Sequence, residues 1–122
     1  MTWRRVCALA RALPEVVEEP WYGTPALKVR GKGIARLKED GKTIMFRLQS
    51  VDEQEFLVAS QPGIFFITEH YRGHAAVLAR LALLRVPECR LRLELAWRAQ
   101  APRILRAQAE EPRRPRRITK EY

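Results

Sequence analysis

The sequence predicts an α+β fold, a two-layer α/β sandwich in which an antiparallel sheet of about five strands carries helices on one face. Two observations predict it: apolar and polar residues alternate on both sides of Asp40-Gly41, and segments near both ends of the chain have helical periodicity. The expected order of elements is α-β-β-β-α-β-β-α. At 122 residues the chain suffices for one domain with one core.

The first helix is predicted to begin after Thr2, whose hydroxyl is a suitable N-cap. Val6, Leu9 and Leu13 follow at helical spacing, which gives the segment one apolar face. Pro14 is expected to end this helix or to begin a new turn, because a proline in a helix interior removes a hydrogen bond.

A first strand is expected at residues 24–30, after an irregular, glutamate-rich stretch that ends at Gly23. Alternation along this strand places Lys28 and Arg30 on the outer face of the sheet and the apolar residues beside them on the core face. The proline at position 25 suits an edge strand or the start of a strand.

The next two strands are predicted to form a hairpin around Asp40-Gly41, the dipeptide typical of a two-residue type I′ turn. Such a turn pairs Leu37 with Ile44. The expected core face consists of Ala35, Leu37, Ile44, Phe46 and Leu48. The expected outer face consists of Ile34, Arg36, Lys38, Thr43, Met45 and Arg47. An antiparallel sheet can leave one face to water, so this outer face is expected to be basic and solvated.

The second half of the chain supplies two helices and two strands. Ser50 and Glu53 have the spacing of a capping box and predict a helix that ends before a Gln-Pro-Gly sequence. Strands are expected at residues 64–68 and 77–81. After Pro87 the residues alternate like a strand but also form a helical stripe, and length and composition favour a helix.

The charge of the chain favours a polyanionic partner. Its 23 Lys and Arg residues exceed its 14 Asp and Glu residues, for a net charge of +9. Five basic side chains lie at positions 113–120, in a segment rich in proline and poor in core-forming residues. We therefore divide the chain into a domain at residues 1–107 and a basic, flexible C-terminal tail at residues 108–122. The tail could solubilise the protein or fold onto a polyanion as a basic arm.

Other features of the sequence point away from several classes of protein. No apolar run approaches the roughly 20 residues that span a bilayer, and the N-terminus lacks the pattern of a signal peptide. The protein is therefore expected to be cytoplasmic, with no membrane partner. Cys7 and Cys89 are expected to be small buried side chains, without a disulfide between them. We expect no cofactor and no metal.

Three segments, taken in order, resemble the MmcQ/YjbR family: WYGTPALKVRGK at residues 21–32, ARL at residues 35–37, and FFITEHYRG at residues 65–73, followed by a strand AVLARL. The resemblance covers residues 3–105. It implies a frataxin-like (CyaY-like) sandwich and the DNA-binding "double wing" arrangement commonly described for similar proteins. It supplies no catalytic residues. Frataxins handle iron with a carboxylate-rich first helix, whereas the first helix here carries arginines, which argues against an iron role.

The segment His70-Tyr71-Arg72-Gly73-His74 admits more than one interpretation. A zinc site is disfavoured, because Gly73 and the flanking strands argue against a helix and no third ligand is near. The segment could be an ordinary strand connection, with Gly73 in a conformation that other residues resist. It could also be the tip of a second wing, with Arg72 contacting phosphates and Tyr71 stacking. The basic turn with Arg30 and Lys32 would be the first wing, or a plain tight turn.

We therefore predict a non-enzymatic nucleic-acid-binding module, with DNA of low sequence specificity as its partner. The candidate binding residues are Lys28, Arg30, Lys32, Arg36, Lys38, Arg47, Tyr71, Arg72, His74 and Arg80. If about five phosphates are neutralised, log affinity should fall with log salt at a slope near −4.5. The alternative is a module for a small ligand or protein partner, with its site around Trp21, Tyr22, Tyr71 and His74. A monomer is expected, although the sequence leaves the oligomeric state open.

Overall fold

A computed structural model describes residues 1–110 as four helices and six strands. The helices are α1 (Trp3–Ala10), α2 (Val51–Ser60), α3 (Val86–Gln100) and α4 (Arg103–Glu110). The strands are β1 (Val16–Trp21), β2 (Thr24–Val29), β3 (Lys32–Leu37), β4 (Thr43–Arg47), β5 (Phe65–Phe66) and β6 (Ala76–Arg80). Short 3-10 helices lie at Glu69–Tyr71 and Leu81–Leu83.

The strands form one antiparallel sheet in the order β1-β2-β3-β4-β6-β5. The α+β class predicted from the sequence is confirmed. The expectation of an irregular stretch before Gly23 is wrong, since β1 pairs with β2 from Val16 to Trp21. This strand lies at the edge of the sheet and most of its residues are exposed. An edge strand can carry charges and Pro20, so neither alternation nor burial revealed it.

The main core lies between the sheet and the helices. Val6 on α1, Leu57 on α2 and Leu93 on α3 belong to the same buried cluster as Phe46 of the sheet. Trp97 is buried, and its indole nitrogen donates a hydrogen bond to the carbonyl of Pro14, 2.9 Å away. Together these contacts attach the helices to one face of the sheet and leave the opposite face without a covering layer in residues 1–110.

The predicted helix starts are confirmed. The Thr2 hydroxyl accepts a hydrogen bond from the amide of Arg5 at 3.1 Å, and the Ser50 hydroxyl accepts one from the amide of Glu53 at 3.2 Å. The Glu53 carboxylate accepts from the amide of Gln49 at 3.0 Å, one residue before the N-cap. Both caps satisfy amides that the first helical turn leaves without partners.

The type I′ turns occur elsewhere than predicted. Tyr22-Gly23 and Arg30-Gly31 have positive φ at both positions (55° and 80°, 51° and 84°), as a two-residue I′ turn requires. At the predicted Asp40-Gly41 site, only Gly41 has a positive φ. The prediction of that turn type is therefore wrong.

The Asp40 side chain explains the different loop. Its carboxylate accepts hydrogen bonds from the amides of Lys42 (2.8 Å) and Thr43 (3.0 Å) and from the Thr43 hydroxyl (2.9 Å). These contacts, the Lys42 amide first, lower the pKa of Asp40. The loop closes with the amide of Lys38 donating to the carbonyl of Thr43 at 2.8 Å. The predicted pairing of Leu37 with Ile44 is nevertheless confirmed.

A bulge in β3 moves one residue from the predicted outer face into the core. Leu27 pairs with Ala35 and Lys28 pairs with Gly33, so Ile34 is the extra residue of the bulged strand. Ile34 is fully buried on the helix side. The prediction of Ile34 on the outer face is wrong, because one inserted residue reverses the alternation of sides.

Four further expectations concern the domain boundary, the tail, membrane helices and the cysteines. Helix α4 continues to Glu110, beyond the expected domain boundary at residue 107. Residues 111–122, with the predicted arginine-rich tail, lie outside the described residues. Within residues 1–110, no helix is long and apolar enough to cross a membrane. Cys7 and Cys89 are both free and buried, and burial raises the pKa of each thiol to about 11.

Candidate functional site on the outer sheet face

The outer face of the sheet contains a second, smaller apolar cluster. Met45, Ala76 and Leu78 are buried in it, and three aromatic side chains pack against them. These aromatic residues are Trp21, Phe66 and Tyr71. The outer face therefore has an apolar centre surrounded by cations. The alternation of residues had predicted only a solvated basic surface.

A concave pocket of about 540 Å³ opens on this face. This volume is within the roughly 300–1,000 Å³ typical of small-molecule sites. The strands and the β1–β2 turn contribute Trp21, Tyr22, Arg36, Lys38, Met45 and Arg47. The two loops beside them contribute Glu39, His70, Tyr71 and His74, and Ala76 completes the floor. We call this the outer-face pocket.

Trp21 and Tyr22 form an aromatic wall of the outer-face pocket. Their rings stack with centroids 5.8 Å apart and planes 23° apart. Tyr22 is 79% exposed, although the positive φ of its turn position restricts its backbone. The Trp21 indole lies directly over Gly33, and a Cβ at that position would overlap the ring. Gly33 therefore allows Trp21 to lie flat against β3.

Replacing Gly33 with alanine is expected to displace Trp21 and to lower the free energy of unfolding by about 1–3 kcal/mol, the usual cost of overpacking. Chemical denaturation followed by tryptophan fluorescence measures both effects. Gly63→Ala is the matched control, because nothing lies within 4 Å of its added Cβ and its φ is ordinary. Equal stability of the two variants would contradict the packing of Trp21 on Gly33.

Arg36 holds the aromatic wall in place. Only 5% of the residue is exposed. Its Nε donates to the carbonyl of Trp21 at 2.9 Å, and its Nη2 donates to the Glu39 carboxylate at 2.6 Å. The guanidinium also lies over the Tyr22 ring, 5.4 Å from its centroid. With its donors used in this way, Arg36 is a structural cation of the pocket and not a free phosphate ligand.

Lys38 joins the strand side of the pocket to its loop side. Its Nζ donates to the Tyr71 hydroxyl at 2.7 Å and lies 3.9 Å from a carboxylate oxygen of Glu39. A hydrogen bond from its own backbone amide, followed by that from Arg36, lowers the pKa of Glu39. Glu39 is therefore a charged hydrogen-bond acceptor at the pocket mouth at neutral pH.

The segment His70-Tyr71-Arg72-Gly73-His74 forms the other wall. His70 packs edge-on against Tyr71 at 4.9 Å and stacks on His74 at 6.3 Å between ring centroids. Gly73 has φ of 81°, the left-handed conformation expected for it. No group of three or more His, Cys, Asp or Glu residues within residues 1–110 could hold a metal ion.

Gln54 of α2 positions this wall from beneath. The residue is 2% exposed, and its amide nitrogen lies 2.8 Å from each of three backbone carbonyls. These carbonyls belong to Tyr71, His74 and Ala76. No sequence pattern indicates this role, because a glutamine within a helix normally lies in solvent.

The structure brings together half of the predicted binding residues. Those that line the outer-face pocket are Arg36, Lys38, Arg47, Tyr71 and His74. Those outside it are Lys28, Arg30, Lys32, Arg72 and Arg80. Trp21 and Tyr22, named from the sequence only for a small-ligand site, line the same pocket. The two functional hypotheses therefore converge on one site.

Several predicted cations are neutralised by nearby carboxylates. Lys28 lies 4.0 Å from Glu19, Arg30 donates to Glu15 at 3.0 Å, and Arg72 lies 3.1 Å from Glu69. In the described part of the chain, no carboxylate lies within ion-pair distance of the cations Lys32, Arg47 and Arg80. Arg80 instead stacks on Phe66, 4.3 Å from the ring centroid.

Comparison with known proteins identifies similar chains. Residues 11–99 match the family model described as YjbR. The uncharacterized protein Mb2600 of Mycobacterium bovis is 28% identical over 118 residues, covering 85% of this chain and 92% of the relative. The uncharacterized protein Rv2570 of Mycobacterium tuberculosis shows the same identity and coverage.

Proposed function

The chain belongs to the YjbR family, and we propose that it is a non-enzymatic, cytoplasmic module that binds nucleic acid, DNA in particular, on its outer sheet face. The observation that carries the proposal is the outer-face pocket, where the half-buried cations Lys38 and Arg47 and several aromatic rings surround an apolar floor. Phosphates attract the cations, and bases stack on aromatic rings.

Three cations on this face are the ones suited to phosphates. Arg47 lines the outer-face pocket and Arg80 lies over Phe66 farther along the sheet, neither of them paired to a carboxylate within residues 1–110. Lys38 has a hydroxyl partner, Tyr71, and its nearest carboxylate oxygen, on Glu39, lies 3.9 Å away. A phosphate can replace these weak contacts without breaking a short ion pair.

Low sequence specificity follows from the kinds of groups present. Base edges are read by side chains projecting into a groove, most often from a helix or a two-stranded ribbon. Helices α1 to α4 pack on the opposite face of the sheet. The outer face offers cations and ring surfaces, which contact phosphates and any base.

The salt dependence of binding tests this proposal. Because the outer face offers three cations suited to phosphates, Lys38, Arg47 and Arg80, the slope should be shallower than the −4.5 expected from the sequence. For about three phosphates, log affinity should fall with log salt at a slope of about −2 to −3. Fluorescence anisotropy of a labelled oligonucleotide from about 50 to 200 mM salt measures it. A slope near zero would contradict phosphate binding.

A second candidate function is supported by the shape of the site. A pocket of this volume with aromatic walls could hold a small anionic ligand instead of a polymer. Such a ligand would compete with oligonucleotides for the same residues. Binding that does not weaken with salt would favour this function.

A further inference from the structure

We infer that the outer-face pocket takes an unpaired base, so that the preferred partner is single-stranded nucleic acid and not a duplex. This inference rests on the proposed function and names its substrate class. The bases of a duplex are stacked on one another and present only their edges in the grooves. An aromatic wall inside a concave pocket can contact a base face only when that base is unstacked.

The walls of the pocket have the chemistry of a base site. Tyr22 is 79% exposed, and its ring is held by Trp21 on one side and by the Arg36 guanidinium near it. A ring fixed in this way loses little conformational freedom when a base stacks on it. Tyr71 lies on the opposite wall, where its hydroxyl accepts a hydrogen bond from the Lys38 ammonium at 2.7 Å.

Polar groups at the mouth suit the other parts of a nucleotide. Arg47 supplies a cation for the phosphate. The ionised Glu39 can accept hydrogen bonds from a base amino group, because its carboxylate has more acceptor sites than Arg36 and Lys38 occupy. The Glu39 carboxylate beside several cations would repel a polyanion that has no hydrogen-bond donors. It suits a nucleotide, because a nucleotide has both a negative phosphate and hydrogen-bond donors on its base.

The sheet face continues from the pocket to a second stacking surface. Met45 pairs with Leu78, and Leu78 pairs with Phe66, so the apolar floor crosses β4, β6 and β5. Two inter-strand spacings are about 10 Å. Phe66 with Arg80 above it, 4.3 Å from the ring centroid, combines a ring and a cation as the pocket does. A single strand could therefore place one base in the pocket and a neighbouring base near Phe66.

Three labelled probes of one length test the inference on the full chain at about 50 mM salt: a single-stranded DNA, its duplex, and the same strand with abasic sites. The single strand should bind about tenfold more tightly than the other two, since one stacked base contributes about that factor. Equal affinity for all three probes would overturn the unpaired-base inference and leave the proposed function standing. No binding of any probe would overturn both.

A variant without the Tyr22 ring distinguishes the contribution of base stacking from that of charge. Tyr22→Asn preserves the turn, because asparagine tolerates a positive φ. It should weaken single-strand binding about tenfold and leave duplex and abasic binding unchanged. Phe56→Gln, which removes a 66% exposed ring from α2, should change nothing. Equal loss on all probes with Tyr22→Asn would overturn the stacking role. If a single-stranded RNA of the same sequence binds and the DNA does not, only the choice of DNA as the partner is overturned.

Discussion

Replacement of Gln54 with leucine is expected to lower the free energy of unfolding by about 1–3 kcal/mol. The leucine would leave three backbone carbonyls without the amide donor that now lies 2.8 Å from each. The Tyr71 and His74 carbonyls also accept from the backbone amides of His74 (3.0 Å) and Ala76 (2.8 Å), so they would keep one partner each. The expected cost is therefore that of one unsatisfied buried polar group, about 1–3 kcal/mol. Urea denaturation monitored by circular dichroism measures the change.

The neighbouring residue supplies the control for Gln54. Glu55→Leu makes a comparable polar-to-apolar change on the same helix, at an exposed position. It should alter stability by no more than about 0.5 kcal/mol. If Gln54→Leu were as stable as this control, Gln54 would not hold the wall of the outer-face pocket.

The double substitution Lys38→Gln and Arg47→Gln should weaken oligonucleotide binding by roughly 30-fold or more. Charge-assisted hydrogen bonds contribute about 1.5–3 kcal/mol each. The two residues line the same pocket, so some loss is shared and the effects need not add. Arg36 is left unchanged, because its removal would release the Trp21 carbonyl and disturb the fold.

Arg4→Gln with Arg11→Gln gives the matched control for charge. These two arginines are exposed on or next to α1, which packs on the other side of the sheet, and their loss changes net charge equally. The control variant should lose less than about threefold in oligonucleotide affinity, because only the long-range attraction of its net charge is reduced. Equal losses in both double variants would show that net charge, and not the outer face, governs binding.

Much of the fold could be predicted because local rules decided it. The caps at Thr2 and Ser50 are satisfied within one turn of helix, and the pairing of Leu37 with Ile44 follows from alternation on both strands. The bulge at Ile34 could not be predicted, because both Ile34 and Ala35 are apolar and either could face the core. Strand β1 was not predicted either, because it lies on an exposed edge where glutamates and Pro20 leave no alternation of apolar and polar residues.

The candidate site was predictable in composition but not in arrangement. Alternation correctly placed Arg36, Lys38 and Arg47 on one face, yet it could not show that Arg36 is buried beneath Tyr22. Glu39 lies in a loop, where sequence gives no direction to a side chain. The carboxylate partners of the cations are distant in sequence or local to turns, so only the three-dimensional structure distinguishes paired from available charges.

Nuclear magnetic resonance mapping with a short single-stranded DNA tests the central claim most directly. Amide shifts in a ¹⁵N-labelled full chain should change for the outer-face pocket and its surroundings, at Tyr22, Lys38, Arg47, Tyr71 and His74. Helices α1 and α3, which pack on the other face, should change little. Changes confined to α1, α3 or residues 111–122, or no changes at all, would contradict nucleic-acid binding on the outer sheet face.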